Sequence, residues 1–315
     1  MHSGLIVHPE ELSKQWVDRL ASVGIETLGI HPRGGEDAVR SLEELHQRMK
    51  TSAYRALIDY ARSRGLRIEY EMHAAGYLLP RELFSEHPEY FRQNKEGERT
   101  QDHNLCVSSP DALELYAHRA AELACELYGG EPCFYFWMDD GYDLHCHCDK
   151  CKQLSASDQQ MLVLNRVLRE IRKHVPNAKM AYLAYMDTMT PPSVRPEEGI
   201  FLEYAPFQKY TAKGEGASLR IREEEEMLAP LMECFPTKEH KVLEYWYDNS
   251  LFSGWKKPPR RFLLDEETMR REIAAYRRLQ FDRVASFACY LGEDYEALYG
   301  DGIDVAPFAD ATKQA

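Results

Sequence analysis

The chain has 315 residues and a net charge of −13, with 44% of its residues hydrophobic and 29% charged. That length and apolar content suit one large α/β barrel or two ordinary domains, either with a sizeable core. The acidic balance argues against a polyanion-binding surface, which needs clustered Lys and Arg, so no nucleic-acid partner is expected.

No apolar run approaches the ~18 residues of a membrane span. The N-terminus lacks the charged, apolar and small-residue regions of a signal peptide. The sequence therefore reads as that of a cytoplasmic protein with no membrane partner.

Strand-like runs alternate with helical patterns along the whole chain. Gly4–His8 (GLIVH) is the first candidate strand, and Leu12, Trp16, Leu20 and Val23 mark one face of a helix over Glu10–Val23. Glu26–His31 and Arg67–His73 are the next two strands. Ala74–Ser108 is too long for a plain turn and reads as a decorated loop over a barrel mouth. Ser109 then caps a helix opened by Pro110, whose Leu113, Tyr116, Ala117, Ala120, Leu123, Ala124 and Leu127 follow helical spacing. Cys133–Asp140 is the fourth strand. Ser157 with Gln160 reads as a capping box that opens a helix through Ile171. Strands over Lys179–Tyr185, Ile200–Tyr204, Val242–Asp248 and Val284–Leu291 complete a set of eight, with helices at Glu223–Phe235 and Glu266–Leu279 among them.

Eight strands separated by helices predict a (β/α)₈ TIM barrel. A doubly wound sheet would want a Gly-rich phosphate turn after its first strand, where this chain has HPEELS. With no repeat and no linker, residues 1–308 form one expected domain, and Ala309–Ala315 an expected frayed tail.

In such a barrel the chemistry sits at the C-terminal ends of the strands. Those ends offer His8, His31, His73, Asp139, Asp140, Tyr185, Glu203, Tyr204, Asp248, Asn249, Tyr290 and Glu293. Trp137, Tyr204, Trp246 and Tyr247 suit the apolar faces of sugar rings, and the competing reading places them in core layers. Asp139–Asp140 is the sharpest feature. Adjacent carboxylates divide acid and base work between them, and protonating a glycosidic oxygen needs such an acid. The plainer reading is an Asp-Gly turn closed by Gly141. Glu203 and Glu244 are further carboxylates in strands, either facing a pocket or paired with an arginine, and with Asp248 they are alternative second acids. Glu223–Glu226 reads as a solvated helix start.

His145–Cys151 (HCHCDKC) holds Cys146, Cys148 and Cys151 in C-x-C-x₂-C spacing, which suits a structural zinc. His145, His147 and Cys106 all remain candidates for the fourth ligand, with His145 first. Cys125, Cys133 and Cys289 read as small buried hydrophobes, so a reducing compartment fits better than a disulfide framework. No organic cofactor is expected. The basic run Lys256–Arg261 reads as a solvated loop.

FWMDDGY, CHCDKC and the following SDQQMLVLNRVLREIRKHVPNAKMAYLAY together resemble the domain of unknown function 4838 family. These are glycoside-hydrolase-like barrels found near alpha-glucuronidases. HPEYFRQNKEGERTQDHNLCVSSPDA resembles the same family's segment before the fourth strand. The acid pair is also similar to the Asp-Asp of O-GlcNAcase-type and the Asp-Glu of hexosaminidase-type enzymes. That resemblance implies that Asp139 orients a substrate acetamide and Asp140 serves as general acid/base. The expected function is hydrolysis of an N-acetylhexosaminide or a uronic-acid-containing glycan. His31, His73, Trp137, Tyr185, Glu203, Tyr204, Trp246, Asp248 and Asn249 are the expected substrate contacts. The alternatives are a non-catalytic carbohydrate-binding barrel with a structural zinc, and a metal-dependent hydrolase.

Overall fold

The computed structural model describes residues 1–235, 239–300 and 302–313. Eight parallel strands close in sequence order: β1 (His2–Val7), β2 (Thr27–Ile30), β3 (Arg67–His73), β4 (Cys133–Trp137), β5 (Lys179–Ala184), β6 (Ile200–Tyr204), β7 (Lys241–Glu244) and β8 (Arg283–Phe287). The expected (β/α)₈ barrel is the fold.

Most predicted strands run too far at their C-terminal ends. β4 stops at Trp137 rather than Asp140, and β7 at Glu244 rather than Asp248. Beyond β7 the chain enters a turn, with the Asp248 amide donating to the Tyr245 carbonyl and the Asn249 amide to the Tyr247 carbonyl. No helix among the described residues is long and apolar enough to cross a membrane.

Two compact units make up the chain. One comprises Met1–Pro32, Glu44–Tyr70 and Lys238–Ala315. Within it β1 pairs with β2 from Gly4↔Thr27 and with β8 from His2↔Arg283, and β7 pairs with β8 from Lys241↔Arg283. The close β1–β2 approach explains Gly4, where an added Cβ would lie 3.1 Å from Thr27 Cβ. Lys241, 2% exposed, donates to Glu69 at 3.2 Å, and this pairing offsets the cost of burying both charges. The first helix starts at Lys14, not Glu10, because Ser13 accepts from the Trp16 amide and fixes the N-terminus there.

The expected frayed tail is instead a helix over Ala306–Lys313, with Phe308, Ala309, Ala311 and Thr312 buried and Arg277 donating to the Ala311 and Thr312 carbonyls. Apolar spacing at 308, 309 and 311 is what holds it down. Residues 314 and 315 lie outside the described residues.

The other unit comprises Arg33–Glu43 and Glu71–Thr237. Here the end of β3 pairs with β4 as far as His73↔Trp137, and β5 pairs with β6 over Met180–Ala184 and Ile200–Tyr204. The helix Pro110–Leu127 begins as predicted, with Ser109 accepting from the Ala112 amide. The next capping box is Ser155 with Asp158, two residues before the predicted pair. Ser157 and Gln160 are buried and bonded to the Thr190 and Leu183 carbonyls, so neither can cap. Glu224 is also buried, accepting from the Gln208 amide, rather than lying on a solvated face. Cys289 is buried as expected, whereas Cys133 is half-buried and Cys125 exposed.

Candidate functional site

The segment between β3 and the helix Pro110–Leu127 is ordered by its own small fold. It holds one helical turn at Ala75–Leu78, two short 3₁₀ turns, and antiparallel bridges Phe91↔Leu105 and Gln93↔Arg99. Phe91 and Leu105 are buried, which anchors the hairpin. Its returning arm carries His103, Asn104 and Cys106 past the end of β4.

Asn104 is the joint. Its Oδ1 accepts from the Asp139 amide at 3.0 Å and its Nδ2 donates to the Leu144 carbonyl at 3.1 Å. One side chain thus holds both ends of the turn that carries the two acids. Gly141 sits close inside that turn: a Cβ there would lie 2.9 Å from Leu144 Cδ1, so a larger residue makes the Leu144 side chain shift. Arg92 braces the same turn through the Asp143 carbonyl at 2.9 Å.

The two acids face different partners. Asp139 has a side chain 12% exposed, and its Oδ2 lies 3.2 Å from Arg81 Nη2 and 3.6 Å from His103 Nδ1. Arg81 is itself positioned by donating Nη1 to the His103 carbonyl at 2.6 Å. Beneath them the buried Tyr116 hydroxyl is held well above the usual phenol range by burial, and the Asp139 charge adds to this. Asp140 is exposed and accepts from the Tyr185 hydroxyl at 3.1 Å. Its other oxygen faces Gly34, where a Cβ would lie 3.4 Å away and 2.8 Å from His73 Cδ2. His73 Nδ1 donates to the Met138 carbonyl at 2.6 Å, which turns the other ring nitrogen toward Gly34. Trp137 packs edge-on against His73, and its indole donates to Glu203 at 2.8 Å. A cleft lined by His73, Asn104, Asp139, His145, Tyr185 and Asp187 opens beside the pair.

Of the expected substrate contacts, then, His73 and Tyr185 line the cleft beside the acid pair, while Trp137 and Glu203 are buried and bonded to each other behind His73. Tyr204 lies elsewhere. It follows Glu203 on β6, so strand alternation sends it the other way, where its hydroxyl reaches the Glu224 carbonyl.

The other unit presents a separate group. His8 Nδ1 donates to the His31 carbonyl, the two rings stack at 5.9 Å, and His31 meets Phe287 at 5.0 Å. Tyr245 packs on Phe287 at 5.3 Å, while Tyr290 meets His8 at 6.0 Å. Trp246 is turned outward. Its indole donates to Glu272 of the helix Glu266–Arg278 at 2.7 Å, so it is a packing residue and not a sugar platform in this arrangement. Glu244, of the same parity, receives the Tyr276 hydroxyl. Asp248 caps the turn Asn249–Phe252 through Ser250 and Leu251, and burial raises its carboxyl to about 6. Asn249 donates to the Arg260 and Tyr290 carbonyls and braces two loops. Lys257 of the basic run pairs with Asp294 at 2.6 Å.

The cysteine cluster differs from its predicted form. Cys106 joins Cys146, Cys148 and Cys151, all four buried, with their sulfurs within 4.8 Å of one another. His145, the leading candidate for the fourth position, lies elsewhere. Its Nδ1 is 3.7 Å from Asp187, and its ring packs on His147, which in turn binds Asp143 at 2.8 Å. The two histidines alternate with cysteines, so extended local chain points them away from the sulfurs.

Sequence reasoning missed Arg81, His103, Asn104, Gly34 and Tyr245. The first four lie far from the acid pair along the chain, where local spacing carries no signal. Tyr245 was legible from alternation, since its neighbour Trp246 cannot share its face.

A family model described as "Domain of unknown function (DUF4838)" matches residues 39–215. No curated protein matches the sequence. Among solved structures, the chain is similar to a beta-N-acetylhexosaminidase from Bacteroides fragilis NCTC 9343, with a TM-score of 0.60 and 12% identity. That match covers 98% of this chain but 65% of the other. It is also similar to a GH20 catalytic module of the pneumococcal exo-beta-D-N-acetylglucosaminidase StrH, with a TM-score of 0.53, 12% identity, and 99% and 83% of the two chains covered. A beta-galactosidase from the psychrophilic Marinomonas ef1 gives a TM-score of 0.52 and 13% identity, over 91% and 54% of the two chains. At these identities the likeness is one of fold.

Proposed function

We propose that this chain, which belongs to the DUF4838 family, is a glycoside hydrolase that works through Asp139 and Asp140 on an N-acetylhexosaminide. The observation that carries the reading is the divergent pair at the end of β4. Asp140 is open to solvent beside Tyr185, while Asp139 is clamped by Arg81 and by the Asn104-bound backbone.

In this reading Asp140 gives its proton to the glycosidic oxygen as the bond to the anomeric carbon breaks. The carbonyl oxygen of the substrate's own 2-acetamido group forms the new bond to that carbon. Asp139, whose carboxylate is fixed, accepts the amide N–H of that group and holds it in line. Asp140 then takes a proton from the water that opens the cyclic intermediate, and the anomeric configuration is retained. The His73 and Tyr185 rings supply an aromatic wall. The fold shared with hexosaminidases supports the reading. An N-acetylhexosaminide is preferred over a uronide because Arg81, the guanidinium beside Asp139, is already engaged by it and no arginine among the described residues lines the cleft.

The test is hydrolysis of aryl N-acetylhexosaminides, hexosides and glucuronides, α and β, by wild type and Asp140→Asn. Loss of the proton donor removes a factor of about 10² to 10⁴. Turnover of N-acetylhexosaminides that survives in a folded Asp140→Asn variant refutes the assignment. A silent panel with sugar binding intact favours the non-catalytic barrel.

A further inference from the structure

We propose that Cys106, Cys146, Cys148 and Cys151 bind one zinc ion that staples the two loops bearing Asn104 and the Asp139–Asp140 turn. Three cysteines come from the loop after β4, and the fourth comes from the hairpin arm 40 residues earlier. Cys106 Sγ lies 3.7 Å from Cys148 Sγ and 3.9 Å from Cys151 Sγ. Sulfurs at the corners of a tetrahedron with ~2.3 Å zinc–thiolate bonds lie about 3.8 Å apart. The cluster therefore has the dimensions of a mononuclear tetrathiolate site. All four cysteines are free. A polynuclear iron–sulfur cluster would spread its ligands beyond the 4.8 Å that contains these four.

The surroundings suit the −2 charge of such a centre. The Gln93 amide lies 3.3 Å from Cys146 Sγ, and Arg99 Nη1 lies 3.8 Å from the same sulfur. The Ser108 hydroxyl lies 3.1 Å from Cys106 and 3.5 Å from Cys148. Amide, hydroxyl and guanidinium donors are the partners that bound thiolates need. Gln159 fixes the loop from below, accepting from the Cys146 amide and donating to the Cys146 carbonyl. All four coordination positions are filled by the protein, so the ion is structural and has no place for a reactant.

Its position gives it a task. Cys106 is two residues from Asn104 and Cys146 is two residues from Leu144, the two segments that the Asn104 side chain joins. The ion closes the same gap a second time, and more strongly. The ligand set stands independently of the proposed hydrolase activity; only the effect on the acid pair rests on that reading.

The first experiment is elemental analysis of the full-length protein purified from zinc-supplied cells, with wild type beside Cys106→Ser, His145→Ala and His147→Ala. About one zinc per chain is expected in wild type and both histidine variants, and less than about one tenth of that in Cys106→Ser. Should Cys106→Ser fail to fold, a thiol-specific mercurial titrated into a chain whose other four cysteines, Cys125, Cys133, Cys234 and Cys289, are replaced by alanine decides the matter, because one zinc must then be released for every four thiols modified. Cobalt substitution should give the intense visible bands of tetrahedral tetrathiolate coordination. Folded wild type without zinc, release at two or three thiols, or zinc lost from His145→Ala but kept by Cys106→Ser would each overturn the proposal, as would an iron chromophore. Substrate turnover enters none of these readouts, so a silent glycoside panel leaves them intact.

Discussion

Glu11 lies just past the end of β1, 5% exposed, with Oε2 3.3 Å from the His8 amide. Burial pushes its carboxyl from an ordinary value of 4.5 up to about 8, against the opposing pull of Lys257 and the His8 amide. The folded protein therefore holds a proton that the unfolded chain has released between pH 4.5 and 8. Stability from this group is complete below pH 4.5 and is lost as pH rises through 8. A gap of about 3.5 pH units at about 1.4 kcal/mol each sets an upper figure of ~5 kcal/mol, less any relaxation toward Lys257. Glu11→Gln keeps the shape and the hydrogen-bonding capacity but does not titrate. Urea unfolding of wild type and variant at pH 5, 7 and 9 measures the difference, and other titrations cancel between them. The variant should gain on wild type by several kcal/mol from pH 5 to pH 9. Parallel profiles, with a difference constant within 1 kcal/mol, would refute a protonated buried Glu11.

Two further substitutions separate site from scaffold. Gly34→Ala needs no strained backbone, since φ there is −85°, but its methyl would press on His73 at 2.8 Å and narrow the space before Asp140. Stability should fall by about 1–3 kcal/mol, while kcat/KM on the substrate found by the glycoside panel falls by roughly tenfold or more; unchanged kinetics would remove His73 and Gly34 from the site. Trp246→Phe removes the indole bond to Glu272 and should cost about 1–3 kcal/mol in denaturant unfolding with KM unchanged. A raised KM with full stability would return Trp246 to the sugar site.

The barrel was legible because its evidence is local. Each strand is a short apolar run, each crossover is a helix with its own face and cap, and eight such alternations leave few other arrangements. Errors fell where a side chain's direction depends on a one-residue change of parity. Glu203 and Tyr204 are adjacent on β6, as are Tyr245 and Trp246 just beyond β7, and in each case one residue turns toward the other strands and its neighbour toward the helices. Reading Glu203 and Tyr204 as both facing the mouth contradicts the pleat, and reading Trp246 there passed over Tyr245, so both mistakes were avoidable. The partners of the acid pair are a different matter. Arg81, His103 and Asn104 lie 58, 36 and 35 residues before Asp139 in a loop with no periodicity, and only the hairpin closed by Phe91 and Leu105 brings them there. Cys106 arrives by the same arm. The hairpin that brings Cys106 to the other three cysteines is thus the hairpin that completes the surroundings of Asp139. A disturbance of either should be felt at the other through Asn104, which is why the chain devotes a long ordered excursion to a turn of six residues between Asp139 and Leu144.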